Sequence, residues 1–341
     1  MTDAISPVTA LREIAFLLER TRSETYRVRA YRGAADLVSK MSVDDRQQHQ
    51  RHQDWGQVRG IGPKTAVVIS QAMAGQVPDF LQKLRDAREP LVEGGLALRA
   101  AVKGDLHVHS TWSDGGSPLE EMMLTAQALG HEYCAITDHS PRLKVARGLT
   151  AERLRQQMSL VADLRPALTP FEILQGIEVD ILEDGGLDQE PALLDELDVV
   201  VASVHSKLRS DSETMTHRMV TAIANPRTNV LGHCTGRLIE GERGTRPESV
   251  FDAEVVFEAC RRFDVAVEIN SRPERCDPPD RLLDLAHEMG CLFSIDTDSH
   301  APGQLEFLIY GCARAEAAGI APERIINTWP VEQLREWCRS R

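Results

Sequence analysis

The sequence predicts an α/β protein in which a parallel barrel of seven strands occupies everything after Gly104, behind a separate N-terminal segment. Three observations predict it. Seven short apolar runs recur after Gly104 with apolar residues at both parities, the pattern of strands buried on both faces. Polar, helical stretches separate the runs and supply the crossovers that parallel strands require. Histidines and carboxylates sit at the ends of these runs, and in such barrels active sites gather where strands end and loops begin.

Taken in order, residues 1–103 come first and differ in charge from the rest. They hold 16 Lys and Arg against 12 Asp and Glu, whereas 104–341 hold 23 against 40, so the net charges are +4 and −17. Opposite signs point to two jobs. Within the basic part, Gly60-Ile61-Gly62 forms a tight turn entering a helical stretch, which presents backbone N–H groups and a positive helix end to a phosphate. Arg59 and Lys64 flank that turn, and Arg27, Arg29 and Arg32 precede it.

The first run, Asp105–His109, places His107 and His109 on one strand face, because side chains at i and i+2 project together. Two imidazoles on one face outline a metal chelate, and Asp114 follows five residues later. The second run, Tyr133–His139, ends on Asp138 and His139; the third, Ile173–Glu178, on Glu178; the fourth, Val199–His205, on His205; the fifth, Val230–His233, on His233. The sixth is Val265–Asn270. The seventh, Leu292–His300, repeats the i, i+2 spacing in Asp298 and His300, and in a closed barrel the last strand lies beside the first. Any one of these histidines alone reads as a packed core residue. Six of the eleven at strand ends, joined by Glu178 and Asp298, read as a metal-binding ensemble, while His49, His52, His131, His217 and His287 fall in polar or helical stretches.

Composition sets the outer bounds. Hydrophobic content of 42% and charged content of 27% describe an ordinary globular chain. There is no apolar run of about 18 residues and no basic-then-apolar leader, so neither a membrane span nor a secretory signal is expected, and the protein is read as cytoplasmic. Seven cysteines without a C-x-x-C pair are read as reduced thiols.

The sequence His107-Val-His-Ser110, Thr137-Asp-His-Ser140, the lone Glu178, His205, His233 and the final Asp298-Ser-His300 resemble the PHP (polymerase and histidinol phosphatase) domain across essentially all of 104–341. Within that family the likeness is to the C-terminal PHP domain of bacterial family X DNA polymerases, through GHCTGRLI at 232–239, VEINSRPERCDP at 267–278 and SIDTDSHAPGQL at 294–305. The resemblance implies a distorted (β/α)7 TIM-like barrel with a trinuclear site. His107, His109, Glu178 and Asp298 would hold one divalent ion, Glu178 would bridge to a second held by His205 and His233, and Asp114, His139 and His300 would hold the third. The donors suit zinc, manganese or iron. Asp138 is read as an orienting partner of His139 or a proton carrier, and Arg142, Arg147, Arg237 and Arg275 as candidates for gripping substrate phosphate.

Residues 10–38 and 58–84 resemble the small DNA-end-binding domain that opens family X polymerases, which implies an all-α helix-hairpin-helix domain over 1–85, with Arg59, Gly60, Gly62 and Lys64 at the DNA, a linker over 86–103, and the PHP domain over 104–341. Those polymerases carry a palm region between the two parts, where this chain has only the linker, so nucleotide incorporation is not expected. Val68 stands where relatives that excise sugar phosphates have their Schiff-base lysine, so lyase chemistry is not expected either. The resulting reading is a metal-dependent phosphoesterase acting on DNA, as a 3′-5′ exonuclease or in 3′-end or damage processing during DNA repair. The alternatives are a small-molecule phosphatase, for histidinol phosphate or a nucleotide, and a DNA-binding scaffold with structural metals.

Overall fold

The structure, a computed structural model, describes residues 5–241 and 244–340. It divides into two compact units, Met1–Pro90 and Leu91–Arg341. The first is helical: α1 (Pro7–Arg20), α2 (Thr25–Lys40), α3 (Val43–His52), α4 (Pro63–Met73) and α5 (Asp79–Asp86). The Ser6 hydroxyl caps α1 by accepting from Thr9 N–H, and Pro7 opens the helix where its missing N–H costs nothing. Leu11, Ile14, Ala15 and Leu18, at helical spacing, face a core shared with Tyr31, Trp55, Ile69 and Leu81. The turn before α4 needs its glycine, because Gly60 has φ +95° and a Cβ there would meet the Leu37 side chain at 2.7 Å. Ile61 between the two glycines is buried, whereas Arg59, Gly60, Gly62 and Lys64 are exposed. Val68 is 1% exposed, a core residue of α4.

The second unit begins with α6 (Leu96–Ala101), inside the stretch read from sequence as linker. The Glu316 carboxylate accepts from Gly95 N–H at 2.7 Å and Leu98 N–H at 2.9 Å, fixing the start of the helix. Seven strands follow, β1 (Gly104–Val108), β2 (Tyr133–Ile136), β3 (Glu172–Asp180), β4 (Val199–Ser203), β5 (Val230–Leu231), β6 (Ala266–Asn270) and β7 (Phe293–Asp296). They are all parallel and lie in sequence order across one sheet. The helices between and after them are α7 (Leu119–Ala128), α8 (Ala151–Leu168), α9 (Pro191–Leu194), α10 (Ser212–Ile223), α11 (Ala253–Arg262), α12 (Asp280–Glu288), α13 (Leu308–Ala317) and α14 (Val331–Arg339).

The sheet curls into a nearly closed barrel. Val108 bridges to Ser299 in parallel, and His109 N–H donates to Ser299 C=O at 2.8 Å. Side chains complete the seam: Asp296 accepts from Leu106 N–H at 2.8 Å, and Asp105 accepts from Thr297 N–H at 3.2 Å. Among the described residues no helix is long and apolar enough to cross a membrane. All seven cysteines are free thiols.

Candidate metal centre

Because each strand points the same way, the residues that end the strands meet on one rim of the barrel. All nine predicted metal ligands come together there. Glu178, fully buried at the end of β3, lies at the middle. Its Oε1 is 2.8 Å from His233 Nε2 and 3.2 Å from His205 Nε2, while its Oε2 is 2.7 Å from His139 Nδ1, 3.4 Å from His107 Nε2 and 3.6 Å from His109 Nε2. Asp298 Oδ1 lies 3.3 Å from His109 Nε2. Asp114 Oδ1 lies 3.4 Å from His139 Nε2 and 3.3 Å from His300 Nε2. The groups overlap more than three separate ligand sets would: His109 reaches both Asp298 and the Asp114–His139–His300 group, and His139 turns one nitrogen to Glu178 and the other to Asp114.

The donor set fits divalent ions. His107 Nε2, both nitrogens of His109 and of His205, His139 Nδ1, His233 Nδ1 and Glu178 Oε2 are buried without a hydrogen-bond partner. An unpaired buried polar atom costs about 1–3 kcal/mol, so such a concentration of orphans at one rim demands a compensating partner. Cations between the imidazoles and carboxylates supply one.

The electrostatics sort these groups. Burial, with His300 and His139 nearby, lowers His109 to about 3, and burial with Arg275 lowers His233 to about 4, so both rings keep free lone pairs. Burial also works against a charged His205, but Glu178 and Asp180 outweigh it and raise that ring to about 9. Burial pushes the Glu178 carboxyl up, yet the surrounding His205, His139 and His107 hold it well below the usual range. Arg275 and Arg272 likewise overcome burial and keep Asp298 ionised.

Two functional residues escaped the sequence reading. Glu268, in the middle of β6, has Oε1 2.5 Å from His107 Nδ1 and Oε2 accepting from His233 N–H at 2.5 Å, so one carboxylate steadies two ligands. The available signal was a single acid inside the apolar run Val265–Asn270, on the same strand face as Asn270, whose amide donates to both Glu268 and Asp298 at 3.2 Å. Arg272 lies 3.2 Å from His300 Nδ1 through its Nη1.

Other expected roles change. Asp138 does not face His139: its oxygens accept from the N–H and hydroxyl groups of Ser110 and Ser113 and from Gln157, so it anchors the loop after β1. Arg237 is turned to the loop after β6, donating to Arg275 C=O and Cys276 C=O and pairing with Glu248, rather than to the cluster. Arg275 does reach it, donating from Nε to Asp298 Oδ2 at 3.0 Å, with Nη1 buried and unpartnered. Arg142 is exposed beside Asp188, and Arg147 donates to Thr111 C=O.

Known proteins resemble this chain in both of its parts. Residues 105–271 match the model of the PHP domain, and residues 6–77 match that of a helix-hairpin-helix domain. The chain is 39% identical over 238 residues to the DNA polymerase/3′-5′ exonuclease PolX of Bacillus subtilis (strain 168), a match covering 70% of this chain and 41% of that protein. The chain thus accounts for about two-fifths of that relative's length. It is 26% identical to a probable phosphatase of Thermoanaerobacter sp. (strain X514), covering 70% of this chain and 94% of that one. Among solved structures it is similar to the histidinol phosphate phosphatase of Lactococcus lactis in complex with zinc, L-histidinol and phosphate, at 20% identity and a TM-score of 0.46, covering 64% of this chain and 94% of that one. The chain carries a PHP domain, matched over residues 105–271, and a helix-hairpin-helix domain before it in sequence, matched over 6–77.

Proposed function

We propose that the protein is a metal-dependent phosphoesterase acting on DNA ends, as a 3′-5′ exonuclease or 3′-end-processing enzyme. The observation that carries the reading is the rim of nine ligand-type side chains, among them His107 Nε2, both nitrogens of His109 and of His205, His139 Nδ1 and His233 Nδ1 buried without a hydrogen-bond partner. His107, His109, Glu178 and Asp298 would hold one ion, Glu178 with His205 and His233 a second, and Asp114, His139 and His300 a third. Divalent ions such as zinc, manganese or iron supply Lewis acidity toward phosphoryl oxygens and bring the pKa of water toward about 7, so the chemistry needs no protein nucleophile. The chain's own residues set the geometry. Glu268 orients His107 and the backbone of His233, the Asp298 C=O accepts from His300 Nδ1–H and leaves its Nε2 free, and Arg275 holds the Asp298 carboxylate while its free Nη1 remains available to a phosphoryl oxygen.

DNA as substrate is supported by the exposed Gly60–Gly62 hairpin with Arg59 and Lys64, and by the polymerase/exonuclease among the relatives. Val68 in the core of α4 offers no amine, so Schiff-base lyase chemistry is not part of the proposal. The test is to give the metal-reconstituted protein end-labelled DNA, mononucleotides and histidinol phosphate side by side. Fastest turnover of DNA supports the reading, and fastest turnover of either small phosphomonoester replaces it with a metabolite phosphatase.

A further inference from the structure

The barrel is acidic, yet the segments that follow two of its clustered histidines carry only cations, up to Asp211 at the N-cap of α10. Residues 139–149 contain Arg142, Lys144 and Arg147, residues 205–210 contain Lys207 and Arg209, and neither segment has an Asp or Glu. All five side chains are exposed. His139 and His205, from which the loops start, have ring centroids 5.2 Å apart, so both loops issue from the same corner of the cluster. Among the described residues the side chains of Lys144, Lys207 and Arg209 have no ion-pair or hydrogen-bond partner. Arg142 is 68% exposed, with its nearest carboxylate oxygen at 3.9 Å.

The loop after β2 is built to hold its shape. Leu149 N–H donates to His139 C=O at 2.7 Å and closes the loop, and Asp188 accepts from the Ser140 hydroxyl and from Arg142 N–H. A Cβ at Gly148 would lie 1.8 Å from Ser140 O, so the return path fits only glycine. Arg153 ties down the carbonyls of Arg147, Gly148 and Trp112. At the tip Val145 is 92% exposed. In the loop after β4, the buried Arg218 donates to Ser206 C=O at 2.8 Å and so fixes the residue following His205.

Several separated, unpaired cations on braced loops suit a ligand with one negative charge per residue, namely a phosphodiester backbone. A small phosphomonoester has too little reach to use them. We propose that Arg142, Lys144, Arg147, Lys207 and Arg209 form a cationic rim on the barrel that grips the backbone of the DNA strand whose end enters the cluster, with Val145 against a base. This rests on the DNA reading above and adds a contact surface separate from the hairpin of the first unit.

The test uses the full-length, metal-loaded protein with Lys144→Glu, Lys207→Glu and Arg209→Glu combined, residues chosen because they support no other group. Melting temperature and bound metal are measured alongside to show an intact fold. The proposal predicts at least tenfold weaker binding of single-stranded DNA at low salt. It also predicts a log–log salt slope smaller by about 2, from three contacts at about 0.7 each on a single strand. If the parent cleaves DNA and the variant keeps the same affinity and slope, the rim is overturned and the DNA reading stands. If the parent turns over a small phosphomonoester but not DNA, the DNA reading fails and the rim with it.

Discussion

Replacing Glu268 with glutamine asks how firmly the site depends on the orientation of one imidazole. Oε1 of Glu268 sits 2.5 Å from His107 Nδ1, and Oε2 accepts from His233 N–H. A carboxylate only accepts, so His107 keeps its proton on Nδ1 and presents a lone pair at Nε2, the atom 3.4 Å from Glu178. In Glu268→Gln the amide oxygen must stay with His233 N–H, since two facing donors would both be left unpaired in the interior. The amide NH2 then faces His107 Nδ1, which can accept only if the ring proton moves to Nε2. That places the proton on the lone pair a cation needs. Loss of a carboxylate behind a ligating histidine costs roughly 10- to 100-fold in metal affinity, about 1.4–2.8 kcal/mol. The tautomer change puts Glu268→Gln at the upper end of that range, and Glu268→Asp, which keeps both acceptors on a shorter stem, should recover part of it. Competition with a chromophoric chelator reads the affinity, and a thermal melt confirms the fold. Unchanged metal affinity in Glu268→Gln would refute the argument.

Glu178→Gln should lower bound metal and reduce phosphoester turnover by several orders of magnitude, because both oxygens of that carboxylate face imidazoles; elemental analysis with a rate measurement checks it. Lys64→Ala should lower the salt slope of duplex DNA binding by about 1, read by titration at several salt concentrations. Deletion of residues 1–90 should leave a folded, metal-binding barrel, since the second unit has its own core and starts with the α6 capping contact; circular dichroism and metal content test this. The same truncation should lose most activity on DNA and keep that on a small phosphoester.

The seven strands were legible because buried parallel strands leave short two-sided apolar runs; each of β1 to β7 overlaps one of those runs, with β1 and β3 extending beyond theirs. The rim of ligands was legible for a related reason: one strand direction makes sequence position, the run's end, equivalent to spatial position. What the letters hid depends on distant partners. Glu268 looks like any acid in a strand until β1 and β5 bring His107 and His233 to its two oxygens. Asp138 adjoins His139 in sequence but points the other way, to Ser110, Ser113 and Gln157. The helix at Leu96–Ala101 lacks a local cap and takes Glu316 from far along the chain, so its sequence reads as linker.

The central claim is that these nine side chains hold a multinuclear metal site. Counting the ions bound to the metal-replete, full-length protein, by elemental analysis against protein concentration, tests it most directly. About three divalent ions per chain, falling in Glu178→Gln, is the predicted result. One ion or fewer per chain under the same conditions would contradict it.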